Sequence, residues 1–273
     1  MKTDIFGRLS RLILALCVAG LSATAFAADQ SPADVWATVL KDHYFKNTVL
    51  HTKNPPITLK TPYRAEDAAV VPISIHAKFP QTPDHYIKTL WLFVDKNPQP
   101  LAGVFHLTRE MGRADLAMRI RIDQYTNVRA IAEMNNGDTY MVVNFVKAQG
   151  GCSAPAEGDL EAALKRRGKM KFRIIDQTKH DKLDLAQLLI SHPNLTGMQL
   201  DQRTRSYIPA NYVKKIVVKY NGKPIMSAET GISISADPSY RFFFKPDGKG
   251  GKVTADVVDS KGEVFKHTFD IKA

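Results

Sequence analysis

Cysteine is scarce in this sequence of 273 residues, which contains only Cys17 and Cys152. No cysteine and histidine cluster has the spacing of zinc ligands, and the eight histidines form no H-x-x-x-H pair. Neither a P-loop nor a G-x-S-x-G elbow occurs, and no two carboxylates stand out as an acid/base couple. The sequence therefore predicts neither a metal site nor a cofactor site.

Long apolar runs are absent beyond the N-terminal segment. Residues 1–27 combine three basic residues with an apolar run from Leu12 to Leu21 and a terminal Ala25-Phe26-Ala27. These are the three parts of a secretory signal peptide, and the run is too short to cross a bilayer of ~30 Å as a helix. We expect cleavage of residues 1–27 and a periplasmic mature protein, with a retained membrane anchor as the alternative.

Positive charge predominates. The formal net charge is +11, and it falls to +9 when the signal peptide leaves with three basic residues and one acid. A positive excess suits anionic partners. Nucleic acid is not an expected partner in the periplasm, so an acidic protein surface is the better candidate. The basic run at 165–169 is most simply a solvated face, with a docking patch as the alternative.

Cys152 is the only cysteine that remains after cleavage, which indicates a reactive thiol or an intermolecular link. It lies in a segment, 149–158, that has no periodicity and no bulky apolar residue. Gly150 and Gly151 give this segment backbone freedom, so we expect a flexible arm with an exposed thiol. An idle linker cysteine is the alternative. His192 is a candidate for a role beside the arm, and a solvated or hydrogen-bonded loop histidine is the alternative.

Two series of short strand-like runs dominate the rest of the chain, on either side of segment 149–158. A helix is expected before them, with Val35, Trp36, Val39 and Leu40 on one face. The first series covers 71–77, 87–95, 116–123, 128–134 and 139–147. The second covers 169–175, 187–191, 212–220, 224–228, 232–235, 240–245, 252–259 and 264–271. Short strands at regular spacing predict two antiparallel sandwiches, with a short helix over 159–167 between them.

Several short motifs resemble the sulfur-oxidation carrier proteins of the SoxYZ type, in a fused single-chain form. The first half resembles the cysteine-bearing subunit in 65–72, in Val94-Asp95-Lys96-Asn97-Pro98 and in Gly150-Gly151-Cys152. The second half resembles the partner subunit in 190–193, in 208–210 and in Asp237-Pro238. The sequence is most similar to the variant called the quinoprotein dehydrogenase-associated SoxYZ-like carrier protein.

This resemblance implies an all-β chain of two immunoglobulin-like β-sandwich domains in tandem, with an N-terminal helix and a flexible cysteine-bearing linker. The implied domains are the signal peptide 1–27, a SoxY-like domain 28–148, the carrier-cysteine arm 149–158 and a SoxZ-like domain 159–273. Cys152 would hold a sulfur intermediate covalently while separate enzymes act on it, and the chain would have no turnover of its own. Ser153 and Ala154 depart from the family, which has glycines after the cysteine, and so does Asn194-Leu195-Thr196 after His-Pro.

Three functions therefore stand at this point. The first is a periplasmic carrier that binds a group covalently on Cys152, while partner enzymes load and process that group. Such a carrier would belong either to a sulfur-oxidation system or to a quinoprotein alcohol dehydrogenase and its c-type cytochrome. The second is a non-covalent docking module for such a dehydrogenase or its cytochrome. The third is a thiol redox protein, which would need a partner's thiol because the mature chain has no second cysteine.

The signal-peptide prediction is tested by N-terminal sequencing of the exported protein. We expect the mature chain to begin at Ala28, or within one or two residues of it, because Ala25 and Ala27 supply the small residues that precede cleavage. Exported protein that still begins at Met1 would contradict the prediction.

Overall fold

The structure, a computed structural model, describes residues 34–155, 160–178 and 183–272. The predicted signal peptide lies outside these residues, as do the last residues of the predicted cysteine arm. Among the residues described, no helix is long and apolar enough to cross a membrane.

Strands make up most of the described chain, and helices are few and short. A π-helical turn, Trp36–Leu40, continues into α1, Lys41–Phe45; a 3₁₀ turn covers Arg109–Met111, and α2 is Leu160–Lys165. The strands of the first half are β1 Leu50–His51, β2 Ile57–Lys60, β3 Val71–Ala77, β4 Ile87–Val94, β5 Leu101–Leu107, β6 Leu116–Ile120, β7 Thr126–Met134 and β8 Thr139–Val146. Those of the second half are β9 Met170–Thr178, β10 Leu183–Ile190, β11 Leu200–Asp201, β12 Ser206–Tyr207, β13 Val213–Tyr220, β14 Lys223–Thr230, β15 Ser239–Phe244, β16 Gly251–Asp259 and β17 Val264–Ile271.

Two large sheets are shared by both halves of the chain. The nine-stranded sheet has the order β1-β8-β7-β4-β5-β14-β13-β16-β17, and the six-stranded sheet has the order β2-β3-β6-β15-β10-β9. The halves meet where β5 pairs with β14 and β6 pairs with β15, both antiparallel. One core of buried side chains runs through both halves between the sheets. Residues Val35–Ala273 accordingly form one compact unit.

The prediction of an all-β fold of sandwich type, with a helix near its start, is confirmed. Alternation of apolar and polar residues located most strands correctly, because one face of each strand is buried. In β3, for example, Val71, Ile73 and Ile75 are buried while Pro72 is exposed. The strand predicted over 232–235 is wrong: this segment forms a turn with a single bridge at Ile234. The predicted domain boundaries at 148/149 and 158/159 stay predictions.

The N-terminal helix packs on the outer face of the nine-stranded sheet. Trp36, Leu40 and Phe45 form a small second core there with Phe93 of β4 and Ile131 of β7. The Trp36 ring meets the Phe93 ring edge-on at 5.5 Å. The prediction that Val39 shares this face is wrong, since Val39 is 56% exposed. The wider turn of the π-helix keeps Trp36 and Leu40 together and turns Val39 away from them.

A buried ion pair lies beneath this helix. The Arg129 guanidinium is 4.8 Å from the centre of the Trp36 ring, and Arg129 Nε donates to Asp95 Oδ2 at 2.8 Å. The ring therefore covers a charge that is already neutralised by a carboxylate, a favourable cation–π arrangement. This contact ties the helix to the loop that follows β4.

Trp36→Ala should lower the free energy of unfolding by about 3–5 kcal/mol, because the ring is only 5% exposed and its removal leaves a cavity against Phe93. Urea unfolding of the mature chain measures this loss. Val39→Ala is the matched control on the same turn, and its effect should stay within about 0.5 kcal/mol. A loss below about 1 kcal/mol for Trp36→Ala would show that the ring is not a core residue.

Candidate functional site

The segment that carries Cys152 is fixed to the first half by its backbone. The Gly150 amide donates to the Asp123 carbonyl at 2.8 Å, and the Gly151 amide donates to the Ile122 carbonyl at 2.9 Å. Arg121 Nη1 donates to the Gly151 carbonyl at 3.1 Å. The described part of the segment therefore lies along the loop that follows β6.

The two glycines permit this close packing. A Cβ atom on Gly151 would lie only 2.0 Å from the Ala68 carbonyl oxygen and 2.7 Å from the Ile122 carbonyl oxygen. Gly150 has a φ of +82°, a conformation that side-chain-bearing residues rarely adopt. Gly150 and Gly151 thus anchor the segment in this structure, which corrects their predicted role as sources of flexibility.

The second half closes over the cysteine. Thr196 Oγ1 donates to the Cys152 carbonyl oxygen at 2.6 Å, and both residues are buried. Thr196 belongs to the loop 192–196, which follows β10. Its hydroxyl also accepts from the Met198 amide at 3.1 Å, and this bond fixes the direction of the hydroxyl. The carbonyl of Cys152 is therefore held by the opposite half of the sandwich.

The Cys152 side chain is fully buried, so the prediction of an exposed thiol is wrong for this structure. The pKa of the thiol is raised from 9.0 to about 12, mainly by burial and in part by the carboxylate of Asp123, while the guanidinium of Arg121 opposes both effects. The protonated thiol is the stable form at neutral pH, and a protonated thiol is a poor nucleophile. In this conformation the sulfur is inert.

Side-chain amides and hydroxyls support the loops around the cysteine. Asn97 donates from Nδ2 to the Arg121 carbonyl at 2.8 Å and accepts the Asp123 amide on Oδ1 at 2.8 Å. Ser235 Oγ donates to the Ala69 carbonyl at 2.7 Å, which joins the connection between β14 and β15 to the first half. Asn194 Nδ2 donates to the Ser235 carbonyl at 3.2 Å. These bonds link loop 192–196, through the 231–238 connection, to the loops that hold Gly150 and Gly151.

His192 lies in the same loop as Thr196, but its own contacts point elsewhere. Its Nδ1 accepts from the Asn194 amide at 3.1 Å, and its Nε2 lies 3.7 Å from Asp259 Oδ2. Its side chain is fully buried, and this burial lowers the pKa of the imidazole; the Asp259 carboxylate opposes the lowering, and Arg167 adds to it. Among the described residues, no hydrogen bond of His192 reaches Cys152. The structure therefore places His192, the predicted arm-proximal histidine, in the loop that contacts Cys152 through Thr196.

Arg121 and Thr196 are the contacts of this site that sequence reasoning missed. Arg121 falls within the strand predicted over 116–123, but β6 ends at Ile120 and Arg121 is buried in the loop beyond it. Thr196 lies 44 positions from Cys152, so no local pattern connects them. No group of three or more His, Cys, Asp or Glu side chains in the described part of the chain is arranged to hold a metal ion.

Family models match both halves of the chain. Residues 41–152 match the model described as sulfur oxidation protein SoxY, and residues 170–270 match the one described as sulphur oxidation protein SoxZ. The chain is a single-chain SoxYZ-like protein. The SoxY match ends on Cys152 itself, at the point where the second half closes over the segment. A SoxY half followed by a SoxZ half indicates a carrier protein of sulfur oxidation.

Solved structures are only distantly similar to this SoxYZ-like chain. The sulfur carrier protein SoxY from Chlorobium limicola f thiosulfatophilum is 20% identical, with 42% of this chain and 96% of that chain covered and a TM-score of 0.36. A superoxide reductase (neelaredoxin) from Ignicoccus hospitalis is 11% identical, with 36% and 94% covered and a TM-score of 0.32. No curated protein matches the chain.

Alkylation of Cys152 in the folded SoxYZ-like protein should be slow at neutral pH, because the thiol is buried and its pKa is raised to about 12. Thr196→Val removes the donor to the Cys152 carbonyl. We expect it to speed alkylation about fivefold, the effect of losing a hydrogen bond worth about 1 kcal/mol. Iodoacetamide labelling followed by intact-mass analysis measures the rates.

Thr196→Ser is the matched control, because it keeps the hydroxyl and should leave the rate within about twofold of the parent. The urea-unfolded protein gives the upper limit, where the thiol has its ordinary pKa. Folded parent protein that alkylates as fast as the unfolded chain would show that Cys152 is not held in the buried position.

Proposed function

We propose that this chain is an exported carrier that holds a sulfur-containing intermediate covalently on Cys152 and presents it to separate enzymes. In this proposal the chain has no turnover of its own. The structure described here is its closed state, in which the unloaded thiol is kept protonated and out of contact with solvent. Loading and processing take place in an open state, with Gly150 and Gly151 released from the loop after β6 and Cys152 released from Thr196.

The observation that carries the proposal is the position of Cys152. It is the last residue of the SoxY match and the only cysteine of the chain outside the predicted signal peptide. It also lies where the two halves meet: Arg121 donates to the carbonyl of the neighbouring Gly151 from one side, and Thr196 donates to the Cys152 carbonyl from the other. A site for an attached group needs a unique nucleophile that partners can reach; Cys152 is the one cysteine outside the predicted signal peptide, and the proposed open state would make it accessible.

The closed state is held by contacts that a partner can replace. Four hydrogen bonds fix the backbone of 150–152, each worth about 0.5–1.5 kcal/mol net, and rather more for the one from the Arg121 guanidinium. Their sum of several kcal/mol is within reach of the binding energy of an ordinary protein–protein interface. Opening therefore needs only a partner whose affinity for the released segment exceeds its affinity for the closed segment by this free energy.

Loading of the thiol sets a requirement on the partner. Joining Cys152 Sγ to the sulfur of an incoming thiol-type group forms one S–S bond, releases the protons of both thiols and removes two electrons. The two electrons pass one at a time to haem groups of a c-type cytochrome, which is the chemical class of acceptor that we propose for the loading enzyme. Reduction of the same S–S bond by a thiol reductant returns two electrons and two protons and restores both free thiols.

The sequence supports a proposal for the cellular setting of this chemistry. The N-terminal pattern at 1–27 supports export, so the proposed place of action is the periplasm. The resemblance to the quinoprotein dehydrogenase-associated variant supports a partnership with such a dehydrogenase and its cytochrome, beside or instead of a sulfur-oxidation system.

Burial of the sulfur favours a second candidate function. A thiol with no exposure and a pKa of about 12 suits a chain in which Cys152 is only a packing residue. The chain would then be a non-covalent docking module for a periplasmic quinoprotein dehydrogenase or its cytochrome. The two functions differ in whether the sulfur atom is needed.

Replacement of Cys152 in the native host separates the two functions. Under conditions where deletion of the gene impairs growth, Cys152→Ala and Cys152→Ser should both grow as poorly as the deletion strain, because neither side chain can form an S–S bond. Intact-mass analysis of parent protein, purified without reductant from the same host, should show an adduct on Cys152 that reductant removes. Growth at the parent's level with Cys152→Ala, under those conditions, would refute the carrier and support the docking module.

Folding must be checked in parallel, because Cys152 is buried. Serine at this position places a hydroxyl in a buried site, which costs about 1–3 kcal/mol if the hydroxyl lacks a partner. Substitutions at solvated linker positions usually change stability by no more than about 0.5 kcal/mol, but Cys152 is not such a position because it is buried. Ser153→Ala, at the exposed neighbouring position, is the matched control and should grow normally. Melting curves of all three variants show whether a growth defect comes from unfolding.

A further inference from the structure

One side of the sandwich, in the second half, is open. β9 is the last strand of the six-stranded sheet and β17 the last strand of the nine-stranded sheet, so each has a single neighbour among the strands described. A groove of about 1040 Å³ lies along these two edges. We call it the β9–β17 groove.

Apolar side chains form the floor of the β9–β17 groove. Phe172 of β9 and Phe269 of β17 stack at 5.7 Å and close the gap between the two sheets. Along β17 the alternate residues Phe265, His267 and Phe269 turn towards the core, yet each remains only half-buried. Sheet edges with partly exposed aromatic rings leave apolar surface available for another chain.

The rim of the groove is basic. Lys169, Lys171 and Arg173 line it and are exposed, and Arg166 lies at one end. The one acid in the lining, Asp237, accepts from Arg166 Nη2 at 2.7 Å, so its charge is already paired. The three exposed cations therefore face the groove without an acidic partner in its lining.

An edge strand, an apolar floor and a basic rim together match one kind of occupant. An extended segment can add to a free sheet edge through backbone hydrogen bonds, while its alternate side chains reach a pocket on one face. Acidic side chains on such a segment would meet the lysines of the rim. A second copy of this chain fits poorly, because two β9 edges would bring Lys169 and Lys171 against the same lysines.

We propose that the β9–β17 groove is the docking site for an extended acidic segment of a partner protein, which pairs with the free edge of β9. The proposal goes beyond the function of Cys152, since a covalent carrier and a docking module would both need such a site. It specifies the chemistry of the partner: alternating carboxylate and apolar side chains over a length comparable to β9.

The test uses the mature chain and a fluorescein-labelled peptide of alternating glutamate and valine, nine residues long, in a fluorescence anisotropy titration at 50 mM salt. The peptide should bind, and the Lys169→Glu/Lys171→Glu double variant should bind it at least about tenfold more weakly. The matched control is Lys46→Glu/Lys53→Glu, which makes the same change of net charge at exposed positions of the first half. Its affinity should stay within about twofold of the parent's.

Hydrogen exchange on the complex distinguishes pairing with β9 from general electrostatic attraction, because net charge alone would not protect the amides of one strand. Amides of β9 should gain protection when the peptide binds, while those of β1, an edge strand of the first half, should not. Equal weakening by the two double variants, no binding, or binding without protection of β9 would overturn the proposal. Two further results would overturn it in favour of another occupant: parent protein that binds phosphatidylglycerol vesicles but not the peptide, or one that self-associates through lysines 169 and 171.

Discussion

The backbone pairing of β5 with β14 and of β6 with β15 is the constraint on which the arrangement of the site depends. Alone, each half would expose two more strand edges, and free edges invite unwanted pairing. Joined, the halves cover these edges and share one core. The pairing also brings the connection between β14 and β15 against the first half, where the Arg121 amide donates to the Ser233 carbonyl at 2.7 Å. Loop 192–196 is then close enough for Thr196 to reach Cys152.

Burial of the thiol gives the closed state a definite pH dependence. The pKa of Cys152 is raised from 9.0 to about 12, so the folded state disfavours the thiolate. Burial of the protonated thiol therefore stabilises the folded state in full below pH 9, and this stabilisation is lost as the pH rises towards 12. Neutral pH therefore keeps the segment closed and the sulfur unreactive. Burial protects the free cysteine in this way from oxidation, which proceeds through the thiolate.

The sequence allowed the strands to be predicted far better than the state of the cysteine. Alternation along a strand is a local signal, and so β3 and β17 were placed with their observed limits, Val71–Ala77 and Val264–Ile271. The glycines around Cys152 have two opposite meanings in a sequence. Glycine permits motion where nothing surrounds it, and it permits close packing where a Cβ atom would collide. Only the carbonyl of Ala68, 2.0 Å from the place of a Cβ on Gly151, decides between them.

The same limit applies to the edges of the sheets. A strand pattern tells which face is buried but not which strands become neighbours, so the sharing of the sheets between halves had no local signal. The basic run before β9 was likewise ambiguous between a solvated face and a docking patch. The sheet topology favours the docking patch, because it puts Lys169 and Lys171 beside a free edge and not on an ordinary exposed surface. Lysines at a free edge oppose pairing between identical chains. In the proposed docking, the charge that opposes pairing of two β9 edges is also the charge that would attract an acidic strand, so a single feature of the edge would disfavour one partner and favour another.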